Sequence, residues 1–142
     1  MTPETICSLL EATRWTASCY NEQPWHFIVV TQENPTELNQ LLSCLIEANQ
    51  VWVKHAPVLM IAVAKLNFEK NGNPNYHAFY DVGAAVCSLT IQATSLRLFV
   101  HQMGGFEASK TRELYNIPEG YEPITAIAIG YPGDPQTLPE QY

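Results

Sequence analysis

Ser18-Cys19-Tyr20-Asn21-Glu22-Gln23 places a hydroxyl, a thiol and two carboxamides in one short stretch that Pro24-Trp25 closes. Ser18 can donate or accept one hydrogen bond through its hydroxyl. Asn21 and Gln23 each offer two donors and an acceptor, and Cys19 offers a polarisable sulfur. Groups of this kind bind and orient; none is paired with a base, and the chain holds no G-x-S-x-G elbow or triad-like cluster. A second stretch, His101-Gln102-Met103-Gly104-Gly105-Phe106, has two adjacent glycines. Glycines permit positive φ and let backbone N–H groups approach a flat ligand closely. Each stretch also has a purely structural reading. Asn21 and Gln23 would satisfy loop backbone, Gly104-Gly105 would turn the chain into a helix, and Met103 would be a core side chain.

Alternating helices and strands must position these residues. Thr2 as N-cap, Pro3 at the first helical position and Glu4 in the first turn open a helix that runs to about Trp15. Thr16 to Pro24 has no period and reads as a loop, followed by a β-branched and aromatic strand from His26 to Thr31. Asn34-Pro35 opens a second helix, and a shorter helical piece covers Val51 to Lys54. Pro57 to Ala64 is apolar on both alternate sets, as a central strand covered on both sides requires. Lys65 to Asn75, with Asn-Gly and Asn-Pro pairs, is a surface loop.

The longest helix is expected from Tyr76 to Leu98. It is apolar around most of its circumference, which demands burial in the domain or against a partner subunit. Phe99-Val100 adds a short strand, Glu107 to Tyr115 a helix, and Ile124 to Tyr131 the last strand. Ala126, Ala128 and Gly130 share one face of that strand, and the tail from Pro132 is rich in proline. The fold class is α+β: a small sheet with helices on both sides, one of them long and central, in a single domain over residues 1–142.

Composition narrows the function. The chain has 142 residues and a net charge of −7, long enough for one core that removes about 68–70% of the unfolded surface from water. The seven Lys and Arg residues are scattered, which excludes the basic stripe that nucleic-acid binding needs. The longest apolar run, Ala56 to Ala64, is broken by Pro57 and too short to span a bilayer. The N-terminus shows neither a basic flank nor an apolar core of the signal-peptide kind. Cys7, Cys19, Cys44 and Cys87 have no metal or redox spacing, so reduced thiols in a cytoplasmic protein are expected. His26, His55, His77 and His101 lack ligand spacing; no metal site is expected.

The two stretches together resemble loops of the nitroreductase family, in which S-S-x-N-x-Q-P-W and a glycine-bearing segment contact FMN. Tyr80-Asp81-Val82-Gly83-Ala84-Ala85 is similar to the start of that family's central helix. Ile117 to Pro123 and Gly130-Tyr131-Pro132-Gly133 are similar to its final-strand segment. The resemblance implies that Ser18, Cys19, Asn21, Gln23, Gln102, Met103, Gly104 and Gly105 bind FMN, with carboxamides suited to the alternating donors and acceptors of the isoalloxazine pyrimidine edge. It implies no catalytic side chain, because the flavin carries the hydride. It further implies NAD(P)H as reductant, a small-molecule oxidant such as a nitroaromatic or quinone, and a homodimer with the site at the subunit interface.

The chain departs from that family in four places. Members begin with an R-R-S-x-R-type segment and end with a C-terminal arm, both of which bring basic residues to the FMN phosphate. Here Met1 directly precedes the first helix and the sequence ends at Tyr142. Ala17 stands where a proline is common, and Cys19 replaces a serine. Each missing charge-assisted hydrogen bond is worth about 1.5–3 kcal/mol. The expectation is therefore a site with its ring-binding half present and its phosphate-binding half missing. The competing reading is a truncated, non-catalytic relative that acts as a dimerising or small-molecule-binding domain.

Overall fold

The computed structural model describes residues 1–134 and Gln136; the rest of the proline-bearing tail lies outside the described residues. Five helices surround four strands in the order α1 (Pro3–Arg14), β1 (Trp25–Thr31), α2 (Pro35–Leu42), α3 (Glu47–Val53), β2 (Val58–Lys65), α4 (Ala78–Ser95), β3 (Phe99–Met103), α5 (Ala108–Leu114) and β4 (Tyr121–Gly130). A short 3-10 turn, Cys19–Asn21, interrupts the loop between α1 and β1. The strands pair antiparallel in the order β1-β2-β4-β3. The fold is α+β, as the sequence reading expects.

The sheet divides the core into two layers. Val58, Met60, Ala62 and Ala64 of β2 join Ile127 and Ile129 of β4 beneath Leu9 of α1 and Val82, Val86 and Leu89 of α4. Leu59, Ile61 and Val63 face the other way, with Ala126 and Ala128, toward Leu41, Leu45 and Val53. β2 is thus buried on both faces, which explains its unbroken apolar run.

Local signals set most boundaries. Thr2 Oγ1 accepts the Thr5 N–H at 3.3 Å, and Asn34 Oδ1 accepts the Glu37 N–H at 3.3 Å, so both expected N-caps form. Helix α4 is shorter than the expected 76–98. At its end Arg97 takes φ 59°, Leu98 N–H bonds Ala93 O at 2.8 Å and Arg97 N–H bonds Thr94 O at 3.0 Å. That is a Schellman close, with arginine where glycine is usual. Its inward residues are buried, while Phe79, Tyr80 and Ile91 stand exposed on the outward side of the single chain.

Three other boundaries move. Helix α3 spans Glu47–Val53 rather than 51–54. β3 extends through Met103 because its exposed polar residues, His101 and Gln102, belong to a sheet edge. β4 begins at Tyr121 although Pro123 has no N–H to donate. The register shifts there, between Ala62 and Val63 of β2, and such an irregularity accommodates a strand proline.

Candidate functional site

The loop that enters β1 holds three of the five non-glycine residues with positive φ among the described residues. Tyr20, Asn21 and Gln23 take φ of 52°, 57° and 51°, a left-handed conformation that costs a non-glycine residue roughly 1–2 kcal/mol. The turn closes on itself. Ser18 O accepts the Asn21 N–H at 3.0 Å and Cys19 O accepts the Glu22 N–H at 3.1 Å, while Ser18 Oγ accepts the Gln23 N–H at 2.9 Å. Ser18 therefore spends its acceptor on the loop.

Neighbouring elements hold the turn from both sides. From α4, Asp81 Oδ2 accepts the Cys19 N–H at 2.9 Å, and Ser88 Oγ accepts the Thr16 hydroxyl at 2.8 Å. Gln23 Nε2 donates to Arg14 O at the end of α1, 3.2 Å away, so half of the Gln23 amide serves the structural role and its Oε1 remains. Glu22 Oε1 accepts the Glu69 N–H at 2.7 Å and lies 3.5 Å from Lys65 Nζ. Lys65 also pairs with the Glu69 side chain; that carboxylate raises the Lys65 ammonium above its usual range, and Glu69 is lowered in return. The Tyr20 and Phe68 rings meet edge to face at 5.8 Å. Asn21 is exposed, and its side chain makes no hydrogen bond among the described residues.

The second segment is built differently from the expectation. Gln102 and Met103 belong to β3, and Met103 is buried in the core with its carbonyl accepting the Thr125 hydroxyl at 3.1 Å, so it is not open to a ligand. Neither Gly104 nor Gly105 has positive φ. Gly105 is there for packing: a Cβ would stand 2.7 Å from Asn49 Nδ2 and Ile46 Cδ1, and Gly105 O accepts both the Ile46 N–H and Asn49 Nδ2. Gly104 has open space above its backbone, with nothing within 4 Å of an added Cβ.

The first four predicted residues converge in one turn and the second four in one strand end, but the two groups do not meet. β1 and β3 are opposite edges of the sheet, about 14 Å apart across three strand spacings. The first loop is tied to α4 on one face, whereas Gly105 is tied to α3 on the other. No hydrogen bond, ion pair or ring contact joins the two segments among the described residues. Asp81 and Glu22, which hold the loop, were not among the predicted site residues. The sequence signals for Asp81 were an acid in an otherwise apolar helix and its place in the Tyr80–Ala85 segment that resembles the family's central helix.

These features can be set beside known proteins. The sequence pattern of the nitroreductase family matches residues 1–131. The chain belongs to the nitroreductase family. This family of oxidoreductases includes a Methanothermobacter thermautotrophicus protein provisionally named NADH dehydrogenase/NAD(P)H nitroreductase, 30% identical over 137 residues. That alignment covers 92% of this chain and 67% of the relative. An uncharacterized 15.4 kDa protein of Mycolicibacterium smegmatis is 35% identical over 86 residues, covering 61% of this chain and 57% of that one. A crystal structure described as an oxidoreductase containing FMN is 30% identical and superposes with a TM-score of 0.94, over 99% of this chain and 72% of its own. A nitroreductase family protein of Clostridium difficile 630, 21% identical, shares the fold at a TM-score of 0.78, over 99% of this chain and 78% of its own.

FMN, the group associated with this nitroreductase fold, has a ring end and a phosphate end. For the ring end the chain offers the Asn21 amide and Gln23 Oε1 on one sheet edge and, on the opposite edge, Gly104 backbone without a side chain in the way. Of the seven basic residues four are committed within the chain, whereas Lys54, Lys70 and Arg97 have no side-chain partner among the described residues. Arg14 pairs with Glu11 and Lys65 with Glu22 and Glu69. Lys110 donates to Ser43 O, and Arg112 donates to Ile117 O, Pro118 O, Tyr121 O and Glu122. No helix among the described residues is long and apolar enough to cross a membrane.

Proposed function

We propose that this chain is an FMN-dependent oxidoreductase that takes electrons from NADH or NADPH and passes them to a nitroaromatic- or quinone-like acceptor. The observation that carries the reading is the Ser18–Gln23 turn. Three non-glycine residues there hold left-handed backbone, and the Asn21 amide is exposed and makes no side-chain hydrogen bond among the described residues. Strain held in place by its surroundings is a mark of functional backbone.

Bound FMN would accept hydride from the nicotinamide and deliver it to the oxidant. The chain's residues bind and orient. Asn21 would present donor and acceptor to the pyrimidine edge, Gln23 its Oε1, and Gln102, Gly104 and Gly105 their backbone. Ser18 and Cys19 would act through the turn: Ser18 Oγ fixes the Gln23 N–H, and the Cys19 N–H is fixed by Asp81.

The placement of the two segments supports a homodimer. A single chain carries them on opposite edges of the sheet, so a second copy is needed to lay one copy's Gly104 backbone against the other's Asn21 turn. The outward side of α4 supplies a surface for that pairing. Phe79, Gly83, Cys87 and Ile91 recur every four residues there, all exposed, and a two-fold arrangement uses the same patch on both copies.

An FMN titration read by quenching of flavin fluorescence tests the reading, followed by NADH-dependent reduction of a quinone by the loaded protein. Saturable binding with turnover supports it. Absence of binding at high FMN refutes it. Binding without reduction of any acceptor would favour the non-catalytic relative.

A further inference from the structure

We infer that Asp81 is a positioning residue for the flavin-binding turn, acting through the Cys19 backbone; this rests on the flavin reading of Ser18–Gln23. Asp81 lies in the first turn of α4 and is only 4% exposed. A carboxylate there gains from the N-terminal end of the helix dipole, but once buried it must be hydrogen-bonded. Its Oδ2 takes the Cys19 N–H at 2.9 Å. The next two residues, Tyr20 and Asn21, have left-handed backbone, as does Gln23 beyond them.

Their own side chains do not account for that conformation. Tyr20 is 91% exposed, and Asn21 is exposed and unbonded among the described residues. The constraint comes from the residue before them, held by Asp81, and from the residue after the turn, held by Ser18 Oγ. Asp81 thus converts the burial of a charge inside α4 into a fixed direction for the Asn21 amide at the surface. It touches no ligand itself.

Three substitutions separate position from charge. Asp81→Asn keeps an acceptor at the same reach, Asp81→Glu keeps the charge but moves it one methylene away, and Asp81→Ala removes both. Thr111→Ala is the control for lost stability alone, since it deletes a buried hydroxyl bonded to Glu107 O at 2.8 Å, in α5 rather than in the loop. The readouts are hydrogen exchange at the Cys19 amide and the FMN dissociation constant of the full chain. We expect Asp81→Ala and Asp81→Glu to raise Cys19 exchange and weaken FMN binding, each by about tenfold or more, as befits one lost bond to a charged group. Asp81→Asn should stay within about threefold of the parent on both, since a neutral acceptor retains part of the bond. Thr111→Ala should lower the melting temperature without moving either readout.

If Asp81→Ala does not fold, Asp81→Asn against Asp81→Glu still makes the comparison. FMN binding that is unchanged in Asp81→Glu, or lost equally in Asp81→Asn with Cys19 still protected, would overturn the inference while leaving the flavin reading intact. A parent chain that binds no FMN would overturn the flavin reading and this inference with it.

Discussion

Glu22 Oε1 accepts the backbone N–H of Glu69 at 2.7 Å, across 47 residues of sequence. The bond joins the strained turn before β1 to the loop after β2, and Lys65 reinforces it from the end of β2. Glu22→Ala would leave the exposed Glu69 N–H to water, at a cost of about 0.5–1.5 kcal/mol. Thermal unfolding should shift downward accordingly, and limited proteolysis should cut faster around Asn71-Gly72. An unchanged cleavage rate would mean that the 66–75 loop keeps its own shape without Glu22.

Asn21→Ala should weaken FMN binding more than Gln92→Ala does. The Gln92 amide is spent on Ser8 Oγ at 3.0 Å between α1 and α4, whereas the Asn21 amide is uncommitted among the described residues. Asn21→Gly sharpens the comparison, because glycine takes φ 57° without strain. It should preserve or raise stability yet still lose affinity. Equal flavin affinity in all three variants would remove the case for a binding turn.

The adjacent glycines should respond in opposite ways. Gly105→Ala drives a methyl into Asn49 and Ile46 at 2.7 Å, and overpacking of that kind costs roughly 1–3 kcal/mol. Gly104→Ala meets nothing within 4 Å and should leave the melting temperature within experimental error. If both melt alike, the approach of α3 to Gly105 is looser than these distances.

Acid should release a contact at the end of α1. The Arg14 guanidinium holds the Glu11 carboxyl down to about 2 from an ordinary 4.5, with help from the Trp15 indole. Arg14 Nη2 lies 2.6 Å and Trp15 Nε1 2.8 Å from Glu11 Oε1. A depressed carboxyl contributes stability that is fully present above its unfolded pKa and lost as pH falls through the folded one. The window is therefore about pH 4.5 down to about 2. The Trp15 indole N–H resonance should titrate near the lower limit, and Glu11→Gln should abolish that titration. A midpoint near 4.5 would show that the contact does not persist in solution.

The homodimer can be tested on the outward face of α4. Ile91 is exposed in the single chain, and Ile91→Asp puts a charge where two copies would bury an apolar side chain. Sedimentation should show a dimeric parent and a monomeric variant. A parent that sediments as a monomer at micromolar concentration would remove the shared-site proposal.

The sequence by itself determined the elements whose causes are local. Thr2 and Asn34 cap their helices because a side-chain oxygen reaches an N–H three residues on. β2 announces itself because both of its faces are apolar. The polar content of Ser18–Gln23 was legible for the same reason, since hydroxyls and amides are carried by residue type. What only the tertiary structure decided depends on partners distant in the chain. The strand status of Tyr121–Pro123 needed the register shift against β2, and that of His101 and Gln102 needed an edge to pair with β4. The tether of the Cys19 N–H, next to the left-handed Tyr20 and Asn21, comes from Asp81, 62 residues away. That Gly104 and Asn21 stand at opposite edges followed from the strand order alone. Helix caps and apolar runs act over a few residues, whereas register, edge position and strain are set by whichever distant segment folds against them.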